Sequence, residues 1–182
     1  MMINKNGIKV LNTNCFKDKR GKFYEIYNKK KFYKIGIRDN FVQDSISVSK
    51  RNVIRGLHYT IKKPQSQLLT ILEGKIFDCL VDLRLNSKTF KKVFTFTLSQ
   101  NENNQIYMPK GVAHGFCVLS ERAILHYNTS ETYDKKNEGG LHWLDQNLKI
   151  KWPVKNGIIS KRDKKFLNLD QIIKLKKLPR IK

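Results

Sequence analysis

The sequence predicts an all-β fold, an antiparallel sandwich or barrel followed by one short C-terminal helix. Three observations lead there. Short runs of β-formers succeed one another from Phe41 to Tyr127, turn chemistry separates them, and helical periodicity is confined to the end of the chain. No internal repeat, low-complexity tract or long linker interrupts the 182 residues, so one domain over residues 1–182 is expected. A chain of this length buries roughly 70% of its unfolded surface, enough for a single sizeable core.

Taken in order, residues 1–16 lack the continuous apolar core of a secretory leader, and nowhere do eighteen apolar residues run together. A soluble cytoplasmic protein is expected. Ser45-Ile46-Ser47-Val48-Ser49 alternates as a strand does. Arg55-Gly56-Leu57-His58-Tyr59 places a histidine and a glycine within β-formers. Arg55 and His58 are three apart, so regular pairing would send them to opposite faces; a bulge at Gly56 adds one residue and turns both toward one cavity. Residues 68–72 form the next strand, ended by Glu73-Gly74.

Residues 75–85 have two unlike faces. Phe77, Cys79, Val81 and Leu83 fall on one, while Asp78, Asp82 and Arg84 share the other with Ile76 and Leu80, which reads as a structural ion pair inside a sheet. After a break at 85–88 come a strand at 92–98 and a turn at 100–104. Gly111-Val112-Ala113-His114-Gly115-Phe116 is the second histidine–glycine segment, expected to form another wall of the same pocket. Residues 123–127 give the last strand of the series, and 167–175 the helix.

The charge narrows the partners. Thirty-seven Lys and Arg against 15 Asp and Glu leave a net charge of +22, which attracts polyanions, acidic membranes or phosphorylated small molecules. The cations are spread along the chain, with a dense run only at 174–182, and no zinc-finger or RNA-binding motif accompanies them. A solvated basic surface is therefore expected, with neither nucleic acid nor membrane as partner. Cys15, Cys79 and Cys117 are odd in number and lack Cys-x-x-Cys spacing, which fits a reducing compartment.

Chemistry can be narrowed by elimination. His58, His114, His126 and His142 are single and scattered, without a second ligand at metal-binding spacing, so no metal site is expected. No Gly-x-Ser-x-Gly elbow occurs, and Cys117 between Phe116 and Val118 reads as a buried hydrophobe. Proton transfer remains. A neutral imidazole takes a proton near pH 7, an aspartate holds its tautomer, and a tyrosine returns a proton, with no cofactor.

Six segments now stand in order: Phe16-Lys17-Asp18-Lys19-Arg20-Gly21-Lys22-Phe23-Tyr24-Glu25, Phe41-Val42-Gln43-Asp44, Arg55-Gly56-Leu57-His58-Tyr59, Val81-Asp82-Leu83-Arg84, Ala113-His114-Gly115-Phe116 and Ser160-Lys161-Arg162-Asp163. Together they resemble the dTDP-4-dehydrorhamnose 3,5-epimerase family, cupin-type proteins acting on nucleotide-linked 4-keto-6-deoxy sugars, from about Cys15 to Lys164. The resemblance implies a cupin-like double-stranded jelly-roll and a role in surface polysaccharide synthesis. It implies His58 as the base that removes a proton beside the ketone, Asp163 as its paired carboxylate, and Tyr127 as the acid on the opposite face of the sugar. It also implies that Arg20, Glu25, Gln43, Arg55, Glu138 and Arg162 hold the nucleotide diphosphate and sugar, with Tyr133 stacked on the base.

The chain departs from the family pattern at three binding positions. Gln67 stands where the family has lysine, leaving His114 or Arg55 to compensate; Ser45 replaces an asparagine and Thr70 an arginine. These changes bear on substrate identity, and a guanosine-linked heptose is one expectation. Family members are homodimers whose N-terminal segments cross the interface, so Arg20 is expected at the neighbour's pocket. Plainer roles stand beside these: core histidines at 58 and 114, a barrel filler at Tyr127, a helix N-cap at Asp163. The alternative outcomes are C3-only epimerisation or keto-isomerisation on the same scaffold, and a non-catalytic nucleotide-sugar or nucleic-acid binding protein.

Overall fold

A computed structural model describes residues 3–102 and 104–181. Met1, Met2, Asn103 and Lys182, which fall within the N-terminal segment, the 100–104 turn and the basic tail, lie outside the described residues. The strands are β1 (Ile3–Lys5), β2 (Ile8–Leu11), β3 (Asn14–Asp18), β4 (Gly21–Glu25), β5 (Gln43–Lys50), β6 (Ile54–Thr60), β7 (Gln67–Glu73), β8 (Lys75–Asp82), β9 (Val93–Ser99), β10 (Gln105–Met108), β11 (Val112–Val118), β12 (Arg122–Thr129) and β13 (Glu138–Gly140). Among the described residues two α-helices accompany them, α1 (Lys29–Lys34) and α2 (Leu169–Lys174), with one 3-10 turn at Asp163–Lys165. Six strands form one antiparallel sheet in the order β1-β2-β10-β7-β12-β5, five form a second in the order β13-β6-β11-β8-β9, and β3 and β4 make a separate hairpin. This is the double-sheet jelly-roll expected.

Alternation along the strands explains both the core and the cavity. Inward side chains of the two sheets, among them Leu69, Ile71, Ile106 and Leu125 against Ile76, Leu80, Leu98 and Phe116, form one buried cluster. Each such side chain contributes about 1.5–3 kcal/mol by leaving water. Toward one end the same faces turn polar. On β12 the inward positions run Ala123, Leu125, Tyr127, Thr129, and on β7 they run Ile71, Leu69, Gln67, so the apolar filling gives way to hydrogen-bonding groups. The sequence itself thus opens a polar pocket at that end.

The outer face of the five-stranded sheet is covered by the C-terminal segment: Cys79, Val81 and Leu83 of the β8 region meet Leu148, Leu169 and Ile172. The two-faced reading of residues 75–85 therefore holds, with corrections. The strand stops at Asp82, whose carboxylate accepts the Arg84 backbone N–H at 3.0 Å and the Arg84 guanidinium at 2.8 Å, turning the chain early. Asp82 and Arg84 are the expected ion pair, but Asp78 belongs elsewhere, bonded to His114. Helix α2 starts two residues later than expected, at a capping box made by Asn168 and Gln171. Helix α1 carries one turn's worth of signal, an Asn28 cap with Phe32 packed toward Leu68 and Tyr107, too little to show as periodicity.

Candidate active site

The two histidine segments lie side by side. In the pairing of β6 with β11, His58 faces His114 and Arg55 faces Phe116, so three steps on one strand match two on the other. The extra residue is the predicted bulge. Gly56 occupies it at φ +110°, where a Cβ would stand 2.6 Å from both Gly115 Cα and the His114 carbonyl oxygen. Arg55 and His58 consequently line the same cavity of about 360 Å³. Gly56→Ala is expected to cost about 3 kcal/mol, through the disfavoured φ and the backbone clash, seen as a lower denaturant midpoint with unchanged m-value.

Asp163 secures this arrangement from 107 residues away. Its Oδ2 accepts the Gly56 N–H at 3.2 Å, and its Oδ1 lies 3.1 Å from His58 Nε2. A carboxylate only accepts, so Nε2 donates to it when the imidazole proton sits there, and the Nδ1 lone pair is then free. Arg162 Nη2 lies 3.1 Å from the same Nε2 in hydrogen-bonding geometry, and it donates there when the imidazole proton sits on Nδ1. Burial raises the Asp163 pKa, but the hydrogen bond and charge of His58, the Gly56 N–H and Ser160 outweigh it and hold the carboxyl well below the usual range. Asp163 is ionised across neutral pH. It is not the cap of α2, which is Asn168.

The opposite wall comes from the six-stranded sheet. Tyr127 pairs in register with Ser45 and Leu69, and Thr129 with Gln43 and Gln67, which sets Gln43, Ser45, Gln67 and Tyr127 together along the cavity. Burial pushes the Tyr127 phenol far up, so it remains a protonated donor. His114, buried beneath, bonds Asp78 through Nε2 at 2.7 Å, with its ring 6.4 Å from that of Tyr127. At the mouth, Tyr133 is largely exposed; its hydroxyl donates to Glu138 at 3.2 Å, and its backbone N–H donates to Gln43 at 2.7 Å. Arg162 Nη1 donates to the same Glu138 at 2.6 Å.

Not every expected residue arrives here. Arg20 sits at the tip of the β3–β4 hairpin, largely exposed and paired with Asp18, and Glu25 pairs with Lys31; neither lines the cavity. Thr70 lies on the other face of β7, buried and accepting a hydrogen bond from Gln105, so its replacement of the family arginine does not alter the cavity wall. Sequence reasoning missed Ser47, Gln65, Phe116 and Thr129 as lining residues, and missed that Asp78 supports His114. The signal for Asp78 was a charge between Ile76 and Leu80 on an inward face. Cys117 behaves as expected, burial pushing its thiol up to about 11. Among the described residues, no three His, Cys, Asp or Glu side chains gather as a metal site, and no helix is long and apolar enough to cross a membrane.

The arrangement sets an imidazole on one sheet and a phenol on the other around one cavity. Similar chains carry a consistent description. The sequence profile of the dTDP-4-dehydrorhamnose 3,5-epimerase family matches residues 3–171. The dTDP-4-dehydrorhamnose 3,5-epimerase of Shigella flexneri is 41% identical over 163 residues, covering 87% of this chain and 90% of that protein. The crystal structure of dTDP-4-dehydrorhamnose 3,5-epimerase from Bacillus anthracis, with TDP and PPi bound, is 39% identical with a TM-score of 0.89, covering 93% of this chain and 99% of that one. The crystal structure of dTDP-6-deoxy-D-glucose-3,5-epimerase from Legionella pneumophila, in complex with dTDP-4-keto-L-rhamnose, is 37% identical with a TM-score of 0.92, covering 100% and 98%.

Proposed function

We propose, from the premise that the chain belongs to the dTDP-4-dehydrorhamnose 3,5-epimerase family, that it is an isomerase inverting C3, C5 or both of a nucleotide-diphosphate 4-keto-6-deoxy sugar in surface polysaccharide synthesis. The single observation that carries the mechanism is that His58 and Tyr127 line one cavity from opposed sheets. His58, paired with Asp163, removes the proton beside the ketone. The resulting enolate takes a proton from Tyr127 on the other face, and the carbon inverts. One proton leaves and one arrives, so the reaction balances without a redox partner.

The enolate oxygen needs donors already in place, each worth about 2.7–4 kcal/mol where one is lost. Gln67 offers an amide N–H without charge and Arg55, in the same cavity, a charged donor; His114, whose Nε2–H is held by Asp78, would donate only as imidazolium. Arg162 at the mouth suits the diphosphate and the Tyr133 ring the base, while Glu138 holds both in place. The remaining parts of the proposal are a single domain over 1–182, a cytoplasmic location and a homodimer. Exposed Phe16 and Phe23 on the hairpin, with Ile46 and Val48 on edge strand β5, support the dimer, in which Arg20 and Glu25 would serve the partner's cavity.

The test is incubation in D₂O with 4-keto-6-deoxy hexoses and heptoses carried on thymidine, guanosine and other diphosphates. Deuterium at C3, C5 or both, in a product of inverted configuration, is expected by NMR. Unlabelled, unchanged sugar across the panel would reject the function. Product inverted at C3 alone, or moved to a new keto position, would assign the alternative outcomes.

A further inference from the structure

The inward face of β5 carries Gln43, Ser45, Ser47 and Ser49 at alternate positions. Gln43 Nε2 donates to Ser45 Oγ at 3.2 Å, and Arg55 Nε donates to Ser49 Oγ at 3.0 Å. Ser47 differs from both. Its hydroxyl oxygen is buried without a hydrogen-bond partner, although the residue lines the cavity. A buried hydroxyl left unpaired is costly, and here it stands beside a group whose proton the reaction uses. Register makes the neighbour plain: Tyr127 pairs with Ser45 and Leu125 with Ser47, so Ser47 and Tyr127 are diagonal on one face of the sheet.

Electrostatics around the phenol point the same way. Burial pushes Tyr127 up; the Ser47 hydroxyl opposes that rise, the Asp78 carboxylate adds to it, and the Arg55 guanidinium opposes it. Asp78 is an acceptor only and cannot stabilise a phenolate. Ser47 can, by rotating its O–H.

We propose that Ser47 is a positioning residue for the acid, donating its free hydroxyl to the Tyr127 oxygen as the phenol gives up its proton. The inference rests on Tyr127 being the acid. In that step the Tyr127 O–H bond breaks, the enolate electron pair forms the new C–H bond, and the phenolate left behind regains its proton from solvent. The Ser47 proton is shared and not transferred.

The test compares Ser47→Ala, Ser47→Thr and Ser47→Cys in D₂O, following exchange of the abstracted hydrogen and appearance of inverted product as separate rates. In Ser47→Ala, inversion is expected to fall about ten- to a hundredfold while exchange changes less than about threefold, because only the second half-reaction uses the hydroxyl. Ser47→Thr should restore most of the inversion, and Ser47→Cys, a weaker donor, should fall between. Unchanged inversion in Ser47→Ala, or equal losses of exchange and inversion, would overturn the proposal. If Ser47→Ala does not fold, the ratio of inversion to exchange in Ser47→Cys decides the question in the same way. Normal inversion in Tyr127→Phe would remove the acid itself. Blocked inversion in Tyr127→Phe with normal inversion in Ser47→Ala would remove only the role given to Ser47.

Discussion

Replacing His58 with Asn should slow both deuterium wash-in and inversion by about 10²- to 10⁴-fold, the range a positioned general base supplies. Both rates fall because each begins with the same proton removal. The fold should survive the change. The Asn amide can still donate toward Asp163 Oδ1, the Gly56 N–H still reaches Oδ2, and Arg162 Nε still donates to Oδ1 at 3.2 Å, so the buried carboxylate keeps its partners. A thermal midpoint close to that of the parent, measured with the rates, separates lost chemistry from lost structure. Wash-in at the parental rate in His58→Asn would move the base to another residue, and His114, its cross-strand neighbour, would be the next to test.

The bulge was legible because it required only two local facts, the spacing of Arg55 and His58 and a glycine between them. Pairing geometry then made it concrete: the sites at 55 and 58 share a cavity because β6 carries one residue more than β11 across that span. The all-β architecture was legible for the same reason, since alternation is a local signal. Asp163 was different. Nothing in its surroundings marks it as the partner of a histidine more than a hundred residues earlier, and a helix cap was the plainer reading; only the ordered resemblance placed it correctly. Gln67 and Thr70 show the limit of motif reading in the other direction. Three residues apart on β7, they fall on opposite faces, so one departure from the family pattern changes the cavity and the other does not. Arg20 and Glu25 carry the family motif yet lie on a hairpin apart from the cavity, and nothing local in the sequence distinguishes them from residues that line it.

The second large effect concerns the acid. Tyr127→Phe removes one hydroxyl from the wall opposite His58 and should lower inversion by about 10²-fold or more. Proton removal does not need that hydroxyl. His58 and Asp163 are untouched, since they stand on the other sheet and in the C-terminal segment, and the ring that fills the wall beside Leu69 and Leu125 is retained. Abstracted hydrogen should therefore still exchange with solvent, returning from the side it left and preserving configuration.

The most direct measurement is thus the ratio of solvent exchange to inversion in Tyr127→Phe, read by NMR in D₂O on a sugar nucleotide that the parent enzyme turns over. Deuterium incorporated with retained configuration, at a rate within about tenfold of the parent, is the result expected if the two groups address opposite faces of one ring. Inversion at the parental rate, or loss of exchange and inversion in equal measure, would contradict it.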